Sequence, residues 1–159
     1  MESSSQPYVR PAEPSDSTSL ADLFGQLGFP CSPQEVSARL NAAGDVALVG
    51  VAHQRVVGVV TVNVMPVLHR PHPVGRISAL VVDQAARGAG LGSLLMAAAE
   101  ALLASCGCQL VEVTSNFRLE QAHGFYKSLG YDATSYRFKR ELGAAPNNSS
   151  KPKPLRGSA

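Results

Sequence analysis

The sequence predicts a single α+β domain in which about four helices flank a mostly antiparallel, twisted sheet. Two β-branched runs, 45–52 and 56–64, enclose a short polar turn, which is typical of an antiparallel hairpin. A third apolar run, 77–83, leads through a glycine-rich turn into a helical pattern at 93–103. With 159 residues, of which 45% are hydrophobic, the chain suits one compact core and is too short for two ordinary domains.

Two amphipathic helices are expected in the first third of the chain, after a short alternating run at 8–10 that predicts a first strand. Apolar residues recur at helical spacing after Asp16 and stop at Gly28, a residue type that commonly ends helices. The second helix begins with the capping sequence Ser-Pro-Gln-Glu from Ser32 and continues up to Gly44.

The second half of the chain continues the alternation of strands and helices. A strand is expected at 109–114, a helix at 121–129, and a final alternating run from 131 to 142. We therefore take residues 8–142 as the domain. The polar ends outside it, which we expect to be flexible, are 1–7 and 143–159.

Composition and charge exclude several classes of function. The formal charge is +2, and apart from the tail at 151–156 no basic run suggests a nucleic-acid surface. No stretch approaches the roughly 20 apolar residues of a membrane helix, and the first residues lack the pattern of a signal peptide, so we expect a cytoplasmic protein. Cys31, Cys106 and Cys108 show no Cys-x-x-Cys spacing, which argues against a disulfide framework or a zinc ribbon. A homodimer remains open.

The glycine-rich turn at 88–92 has the composition of an anion-binding turn. A strand followed by glycines and a helix N-terminus presents free backbone amides, which attract negative charge. A nucleotide-binding P-loop would need a lysine after the glycines, but Gly92 is followed by Ser93. A dinucleotide fingerprint needs G-x-G-x-x-G in a parallel α/β unit, whereas this turn is G-x-G-x-G and follows a hairpin. A turn without a ligand would rarely need three glycines.

The spacing R-x-x-G-x-G, from Arg87 to Gly92, resembles the pyrophosphate-binding motif of the GNAT superfamily of N-acetyltransferases. In that superfamily, backbone amides of this turn hold the diphosphate of acetyl-CoA. The segment from Asn116 to Tyr131 resembles the second conserved block, where Asn follows the fifth strand and a Phe-Tyr pair lies on the next helix. The two blocks together cover about residues 75–140. The resemblance implies a GNAT-like sheet that holds the cofactor at a splayed pair of strands.

Within the superfamily the sequence is most similar to the aminoalkylphosphonate N-acetyltransferases. The shared positions include 68–69, 75–82, 86–88, 125–126 and 137–138. Aminoglycoside 6'-type acetyltransferases share much of the second block as well. The resemblance therefore indicates an acyltransferase that uses acetyl-CoA, and it leaves the acceptor open.

The resemblance also implies roles for individual residues. Acetyl transfer needs a deprotonated amine, donors for the developing oxyanion and a proton for the departing thiolate. Tyr126 matches the family position whose hydroxyl lies beside the cofactor sulfur, and we favour this catalytic role over that of a core tyrosine. Asn116 matches a position that contacts the cofactor arm, and a helix cap is the alternative role, which can coexist with that contact. The residues expected to contact the cofactor are Leu80, Val81, Val82, Arg87, Gly88, Ala89, Gly90, Leu91, Gly92, Ser93, Asn116 and Tyr126.

The general base is not evident, because the cofactor strand lacks the glutamate that many family members carry there. Three prolines predict a loop over 65–75 that carries His69, Arg70 and His72, and it leads directly into that strand. Imidazoles titrate near neutrality, so His69 is our candidate base, and His72 is more simply a surface residue. By analogy with the phosphonate enzymes, a divalent metal held by His69, His72 and a carboxylate is an open alternative, but two histidines alone do not define a site and we assign no metal.

The acceptor is expected to be a small primary amine that carries an anionic group. The guanidinium groups of Arg70 and Arg76 would pair with phosphonate, phosphate or carboxylate oxygens. An aminoalkylphosphonate or an amino acid would satisfy this expectation. The alternatives are an aminoglycoside- or peptide-directed acetyltransferase, a protein that binds acetyl-CoA without transferring its acetyl group, and an unrelated binding module.

Overall fold

The computed structural model describes residues 6–42 and 44–143, which are built on one five-stranded sheet. The ends expected to be flexible, 1–7 and 143–159, lie outside the described residues except for residues 6, 7 and 143. None of the described helices is long and apolar enough to span a bilayer. In chain order the elements are β1 (Tyr8–Pro11), α1 (Ser17–Leu27), α2 (Pro33–Ala42), β2 (Val46–Ala52), β3 (Arg55–Met65), β4 (Val74–Val82), α3 (Leu91–Ser105), β5 (Leu110–Val113) and α4 (Glu120–Ser128).

The strands lie in the order β1-β2-β3-β4-β5, and every pair is antiparallel except the parallel pair β4–β5. This order confirms the predicted α+β class and the predicted hairpin. The hairpin turn consists of His53 and Gln54, which both have positive φ, 48° and 60°. Two such residues form a tight turn whose twist matches that of the flanking strands.

The strands β4 and β5 pair over only part of their neighbouring edges. Residues Val74 to Ile77 are in register with Leu110 to Val113, and then the pairing stops. β4 continues to Val82 while still paired with β3 on its other side. From Ser78 to Val82 the edge of β4 that would face β5 therefore has no strand beside it.

Two hydrophobic cores lie on opposite faces of the sheet. One core joins α3 and α4 to one face through residues such as Ile77 and Leu95, and the other joins α1 and α2 to the opposite face through residues such as Leu20 and Val59. Alternation of side chains along each strand produces these two faces. α3 packs so closely that a Cβ on Gly75 would come within 2.8 Å of the Leu103 side chain.

The beginning of α1 is tied to β1 by a partly buried ion pair. The Arg10 guanidinium donates two hydrogen bonds to the Asp16 carboxylate, at 2.8 and 2.9 Å, and the Glu13 amide donates a third at 2.8 Å. The hydrogen bonds from Arg10 are the largest cause that lowers the pKa of Asp16, despite its burial. The pair fixes the position at which α1 starts to cross the sheet.

The final alternating run is the part of the chain that departs from its sequence pattern. Tyr131 packs against the α3 side of the sheet, but residues 132–143 form neither strand nor helix. Tyr136, Phe138 and Leu142 are 90–91% exposed. The alternation is that of a strand with one apolar face, yet in the single chain this segment has no strand beside it.

Candidate active site

The turn after β4 is held in place by the C-terminal end of α1. The Asp83 carboxylate accepts hydrogen bonds from the Ala85 amide, at 2.9 Å, and from the Gln26 side-chain amide, at 3.1 Å. The Gln26 side-chain oxygen accepts in turn from the Gln84 amide at 3.1 Å. Hydrogen bonding, first from Gln26 and then from Ala85, lowers the pKa of Asp83. Asp83 thus remains ionised, and α1 clamps the start of the turn.

The glycines of this turn have two different roles. Gly88 and Gly90 have φ of 85° and 81°, and a Cβ on either would meet nothing within 4 Å, so the direction in which a side chain would point is open. A Cβ on Gly92 would lie 3.4 Å from the Phe125 ring of α4. The first two glycines are therefore needed for the left-handed backbone conformation of the turn, whereas the third permits the close approach of α4.

The turn has the electrostatic character of an anion site. α3 begins directly after Gly90, and the first amide to bond within the helix is that of Leu94, to the Gly90 carbonyl at 3.1 Å. The amides before Leu94 have no partner within the helix, and the helix dipole adds positive potential there. The Arg87 Nε donates to the Val82 carbonyl at 3.0 Å, which holds this exposed guanidinium beside the turn. Phosphate oxygens fit such a site.

A β-bulge interrupts β4 at the start of the stretch that is not paired with β5. Thr61 pairs with Ala79 and Val62 pairs with Ile77, so Ser78 is the extra residue. Its hydroxyl donates to the Asp45 carboxylate at 2.7 Å and lies 2.8 Å from the Thr61 hydroxyl. The sequence pattern did not indicate Asp45 as a site residue, because a Gly-Asp pair before a strand has the composition of an ordinary turn.

An apolar cavity of about 370 Å³ opens beside this bulge, between the α1 and α2 helices and the sheet. Its walls are mostly aliphatic and aromatic, and the polar side chains are grouped at the sheet and at α2. The cavity can therefore enclose the body of a small molecule while its polar groups orient one end. The residues that line it are Leu20, Phe24, Leu27, Phe29, Cys31, Val36, Arg39, Leu40, Asp45, Ala47, Thr61, Ser78 and Ala79.

Tyr126 lies on α4, in an aromatic cluster that packs against the α3 core. Its ring contacts those of Phe125 and Tyr131 edge to face, with centroids 5.5 and 6.0 Å away. Burial raises the pKa of Tyr126 above its usual value. Tyr131 donates to Glu100 at 2.7 Å, whereas the Tyr126 hydroxyl has no hydrogen-bond partner within the part of the chain that the structure describes. The proton of Tyr126 is thus both retained at neutral pH and free to be donated.

Asn116 follows β5 and shapes the loop that leads into α4. Its side-chain oxygen accepts from the Arg118 amide at 3.0 Å. Its carbonyl lies 2.9 Å from the Nε2 of His123, one turn before Tyr126 on α4. These contacts fasten the loop to the helix. They occupy the side-chain oxygen of Asn116, while its NH₂ group has no partner among the described residues.

The basic residues predicted to bind the acceptor lie toward the other end of β4. Arg70 and His72 line a separate cavity of about 290 Å³ at the starts of β4 and β5, and His69 is exposed in the preceding loop. Val82 lies eight residues after Val74, which corresponds to about 26 Å of strand. The structure therefore does not bring these three residues together with the glycine turn.

Arg76 has a partner within the chain. Its guanidinium donates two hydrogen bonds to the Glu112 carboxylate, at 2.9 and 2.6 Å, across the paired part of β4 and β5. This pairing occupies the group that we expected to bind an anionic acceptor. Among residues 6–42 and 44–143 there is no cluster of three or more His, Cys, Asp or Glu side chains that could hold a metal ion.

The sequence matches the acetyltransferase (GNAT) family over residues 16–131. An aminoalkylphosphonate N-acetyltransferase of Salmonella typhimurium is 36% identical over 87 residues, which are 55% of this chain and 56% of the relative. The chain thus aligns with little more than half of that relative. A glucosamine 6-phosphate N-acetyltransferase of Trypanosoma brucei brucei is 31% identical over 142 residues, 84% of this chain and 95% of the relative.

A solved structure agrees with the family match. The crystal structure of a Trypanosoma brucei acetyltransferase superposes with a TM-score of 0.74 at 32% identity, and the match covers 86% of this chain and all of the other. The family match includes the glycine turn, the bulged strand β4 and α4 with Tyr126. The chain therefore belongs to the GNAT family of acetyltransferases, enzymes that use acetyl-CoA as the acetyl donor.

Proposed function

We propose that this enzyme transfers the acetyl group of acetyl-CoA to the primary amine of a small molecule that also carries an anionic group. The observation that carries the proposal is that Ser78 and Ala79, which line the apolar cavity, belong to the stretch of β4 that β5 leaves unpaired and that ends at the glycine turn. A cofactor bound at the turn could extend along that edge and deliver its thioester beside the cavity.

The cofactor end of the site is the turn from Arg87 to Ser93. Its free amides, the left-handed glycines and the guanidinium of Arg87 suit a diphosphate. The pantetheine arm carries amide groups, which can bond to the free backbone groups of β4 between Ser78 and Val82 as an added strand would. This path leads from the turn to the bulge, so the acetyl group would be presented at Ser78.

The acceptor amine is proposed to approach from the cavity. An ammonium group there would meet the Asp45 carboxylate, which the Ser78 hydroxyl orients. A carboxylate both binds an ammonium and provides an acceptor for the proton that the amine must lose before it attacks. Asp45 therefore has stronger geometric support as the base than His69, which lies near the far end of β4.

The proton for the departing thiolate is assigned to Tyr126. A tyrosine phenol is protonated at neutral pH, and burial raises the pKa of Tyr126 further, so the hydroxyl has a proton to donate to the thiolate that develops during the reaction. Its hydroxyl has no competing partner among the described residues. Tyr131 is a less suitable donor, because its hydroxyl is bonded to Glu100.

Two relatives support the proposal that the acceptor carries an anionic group, because they are named for an aminoalkylphosphonate and for glucosamine 6-phosphate. Within the cavity, the cationic side chain is Arg39 of α2, which is largely exposed and 3.7 Å from Glu35. Arg39 is therefore better located than Arg70 or Arg76 to pair with the anionic end of an acceptor whose amine reaches Asp45.

The proposal is tested by measuring thiol release from acetyl-CoA with a panel of amines. The panel contains 2-aminoethylphosphonate, glucosamine 6-phosphate and amino acids, set against polyamines, aminoglycosides and peptide N-termini. We expect turnover with at least one anionic amine. Turnover with aminoglycosides or polyamines while every anionic amine is inert would contradict the acceptor class.

Two further outcomes separate the other interpretations. Tight binding of acetyl-CoA by calorimetry, without thiol release from any amine, would indicate a protein that binds the cofactor without transferase activity. Absence of any thermal shift with coenzyme A would contradict the assignment of the turn itself. Arg39→Gln provides the matched variant, because it removes the charge and keeps most of the side chain; we expect it to raise KM for anionic amines only.

A further inference from the structure

The cavity between α1, α2 and the sheet offers few side chains that can form hydrogen bonds with a ligand. Four of its thirteen lining residues have polar side chains, and the other nine are apolar. The hydroxyls of Thr61 and Ser78 lie 2.8 Å apart, and Ser78 also donates to Asp45 at 2.7 Å. Because these hydroxyls bond to each other and to Asp45, the main partners left for polar groups of a ligand are two charged side chains, Asp45 and Arg39.

The two charged side chains have opposite signs and are not paired with each other. They lie six positions apart in the chain, on either side of the end of α2. Among the described residues, the ion pair of Arg39 is with Glu35, at 3.7 Å. Both Arg39 and Asp45 are exposed, so the charged groups of a ligand that meets them can stay hydrated and avoid the cost of desolvation. An ammonium and a carboxylate on neighbouring atoms, as in an α-amino acid, suit such a pair.

The rest of the cavity wall favours an apolar body. Leu20 and Val36 are 0% and 3% exposed, and Phe24 and Leu40 pack against the same core. A polar group that faced this wall would lose water without gaining a partner, which is unfavourable. Each CH₂ group that leaves water there should instead improve binding by about fourfold.

We propose that the acceptor is an α-amino acid, or a close analogue, with a large apolar side chain. This assignment rests on the proposed function, since its ammonium group meets Asp45 and its carboxylate pairs with Arg39. The side chain of the acceptor then occupies the apolar part of the cavity. A sugar phosphate suits the cavity less well, because the hydroxyls of the sugar would face the apolar wall, and one such hydroxyl can cost up to about 10²-fold in kcat/KM.

The test is a series of acceptors in which only the side chain changes. Alanine, 2-aminobutyrate, norvaline and norleucine differ by one CH₂ group at each step, while the ammonium and the carboxylate stay the same. We expect kcat/KM, measured by thiol release from acetyl-CoA, to rise about fourfold per step and about 60-fold over the series. Leucine and asparagine have similar shapes, and leucine should be the better acceptor by about tenfold or more.

The outcomes separate this assignment from the proposed function. Turnover of the amino acids without a rise along the series, or asparagine as good an acceptor as leucine, would overturn the amino-acid assignment alone. A higher kcat/KM for glucosamine 6-phosphate or 2-aminoethylphosphonate than for norleucine would do the same. Turnover of cationic amines while every anionic amine is inert would overturn the proposed function, and the amino-acid assignment with it.

A matched pair of variants tests whether the cavity wall is the selective element. Phe29 lines the cavity and is 69% exposed, so Phe29→Asn makes the wall polar at a position on which the fold does not depend. The ratio of kcat/KM for norleucine to that for alanine should fall by about fourfold or more, the effect of at least one CH₂ group. Phe138→Asn makes the same change at a 91% exposed position outside the cavity and should keep the wild-type ratio. Equal ratios in the two variants, with near-identical circular dichroism, would overturn the assignment of the acceptor side chain to this cavity.

Discussion

The glycine turn and the apolar cavity beside Ser78 are the two regions of the proposed site, and they are built in different ways. The turn consists mainly of backbone from one contiguous stretch, and its positive potential comes from unpaired amides and a helix dipole. The cavity consists of side chains from α1, α2 and three strands, which are distant in sequence. A backbone site of this kind suits a constant group such as a diphosphate. A site made of side chains can change its specificity without disturbing the fold.

Gly90→Asp is expected to have the largest effect, because it places a carboxylate where the diphosphate would lie. At 4 Å, like charges repel by about 4 kcal/mol for an effective dielectric constant of 20, which corresponds to a decrease of about 10³-fold in affinity for coenzyme A. Gly107→Asp is the control, since Gly107 also has positive φ (85°) and open space around it. Calorimetry measures both dissociation constants. Equal affinity of the two variants for coenzyme A would contradict the assignment of the turn as the diphosphate site.

Tyr126→Phe tests the proposed proton donor on α4. The ring and its edge-to-face contacts remain, and only the proposed proton donor is lost, so kcat should fall by about 10²-fold or more with little change in cofactor affinity. Tyr131→Phe removes the neighbouring hydroxyl and its bond to Glu100, and should affect stability more than kcat. Rates are compared by stopped flow under single-turnover conditions. A chemical step that proceeds at the wild-type rate in Tyr126→Phe would exclude this role.

Asp45→Asn changes the cavity alone. The amide oxygen can still accept from Ser78, but the charge that would pair with the ammonium is gone. Hydrogen bonds to charged groups contribute about 1.5–3 kcal/mol, so kcat/KM for the amine should fall by about 10- to 100-fold while the affinity for acetyl-CoA is unchanged. Asp22→Asn, at an exposed position of α1, controls for the loss of one negative charge. Equal effects of both variants on kcat/KM would argue against Asp45.

The same difference explains which features could be predicted from the sequence. The hairpin, the glycine turn and its helix depend on local pattern and turn chemistry, and they were found close to the expected boundaries. Asp45 could not be found in this way, because it meets Ser78 only when β2, β3 and β4 are aligned and the bulge turns Ser78 toward it. The positions of His69 and Arg70 before β4 predict a role in the site, but the length of β4 separates their loop from the turn. Arg76 lies on β4 itself, and its guanidinium is paired with Glu112, a contact between strands that sequence spacing does not indicate.

The final alternating run, residues 132–143, shows a second reason why prediction from sequence is incomplete. Its alternation indicates a face suited to burial, but a strand needs a neighbour, and alternation contains no information about which edge supplies it. The point at which the pairing of β4 with β5 stops is likewise not determined by alternation. Periodicity predicted both strands, whereas the point at which they separate depends on how the sheet twists and on where β5 ends, at Val113.

Gln26→Ala is expected to have the smallest effect, and it tests whether the two regions are mechanically connected. Gln26 lies on α1, the helix that walls the cavity, and its side chain bonds to Asp83 and to the Gln84 amide in the turn. Loss of these two exposed hydrogen bonds should loosen the turn, and the dissociation constant for coenzyme A should rise by a few-fold. Gln34→Ala, at an exposed position of α2, is the control and should leave that constant unchanged.

The same variant has a second readout in the ionisation of Asp83. Because Gln26 is the main cause that lowers the pKa of Asp83, Gln26→Ala should raise that pKa toward the ordinary value, as carboxyl NMR titration would measure. The pKa of Asp83 rises because the ionised carboxylate loses a hydrogen-bond donor, which favours the protonated form. Any stability that Gln26 adds through Asp83 is therefore lost as the pH falls through the pKa that Asp83 has in the folded protein. If KM for the amine rises in Gln26→Ala as much as the dissociation constant for coenzyme A does, α1 couples the cavity to the turn, and the two regions cannot vary independently.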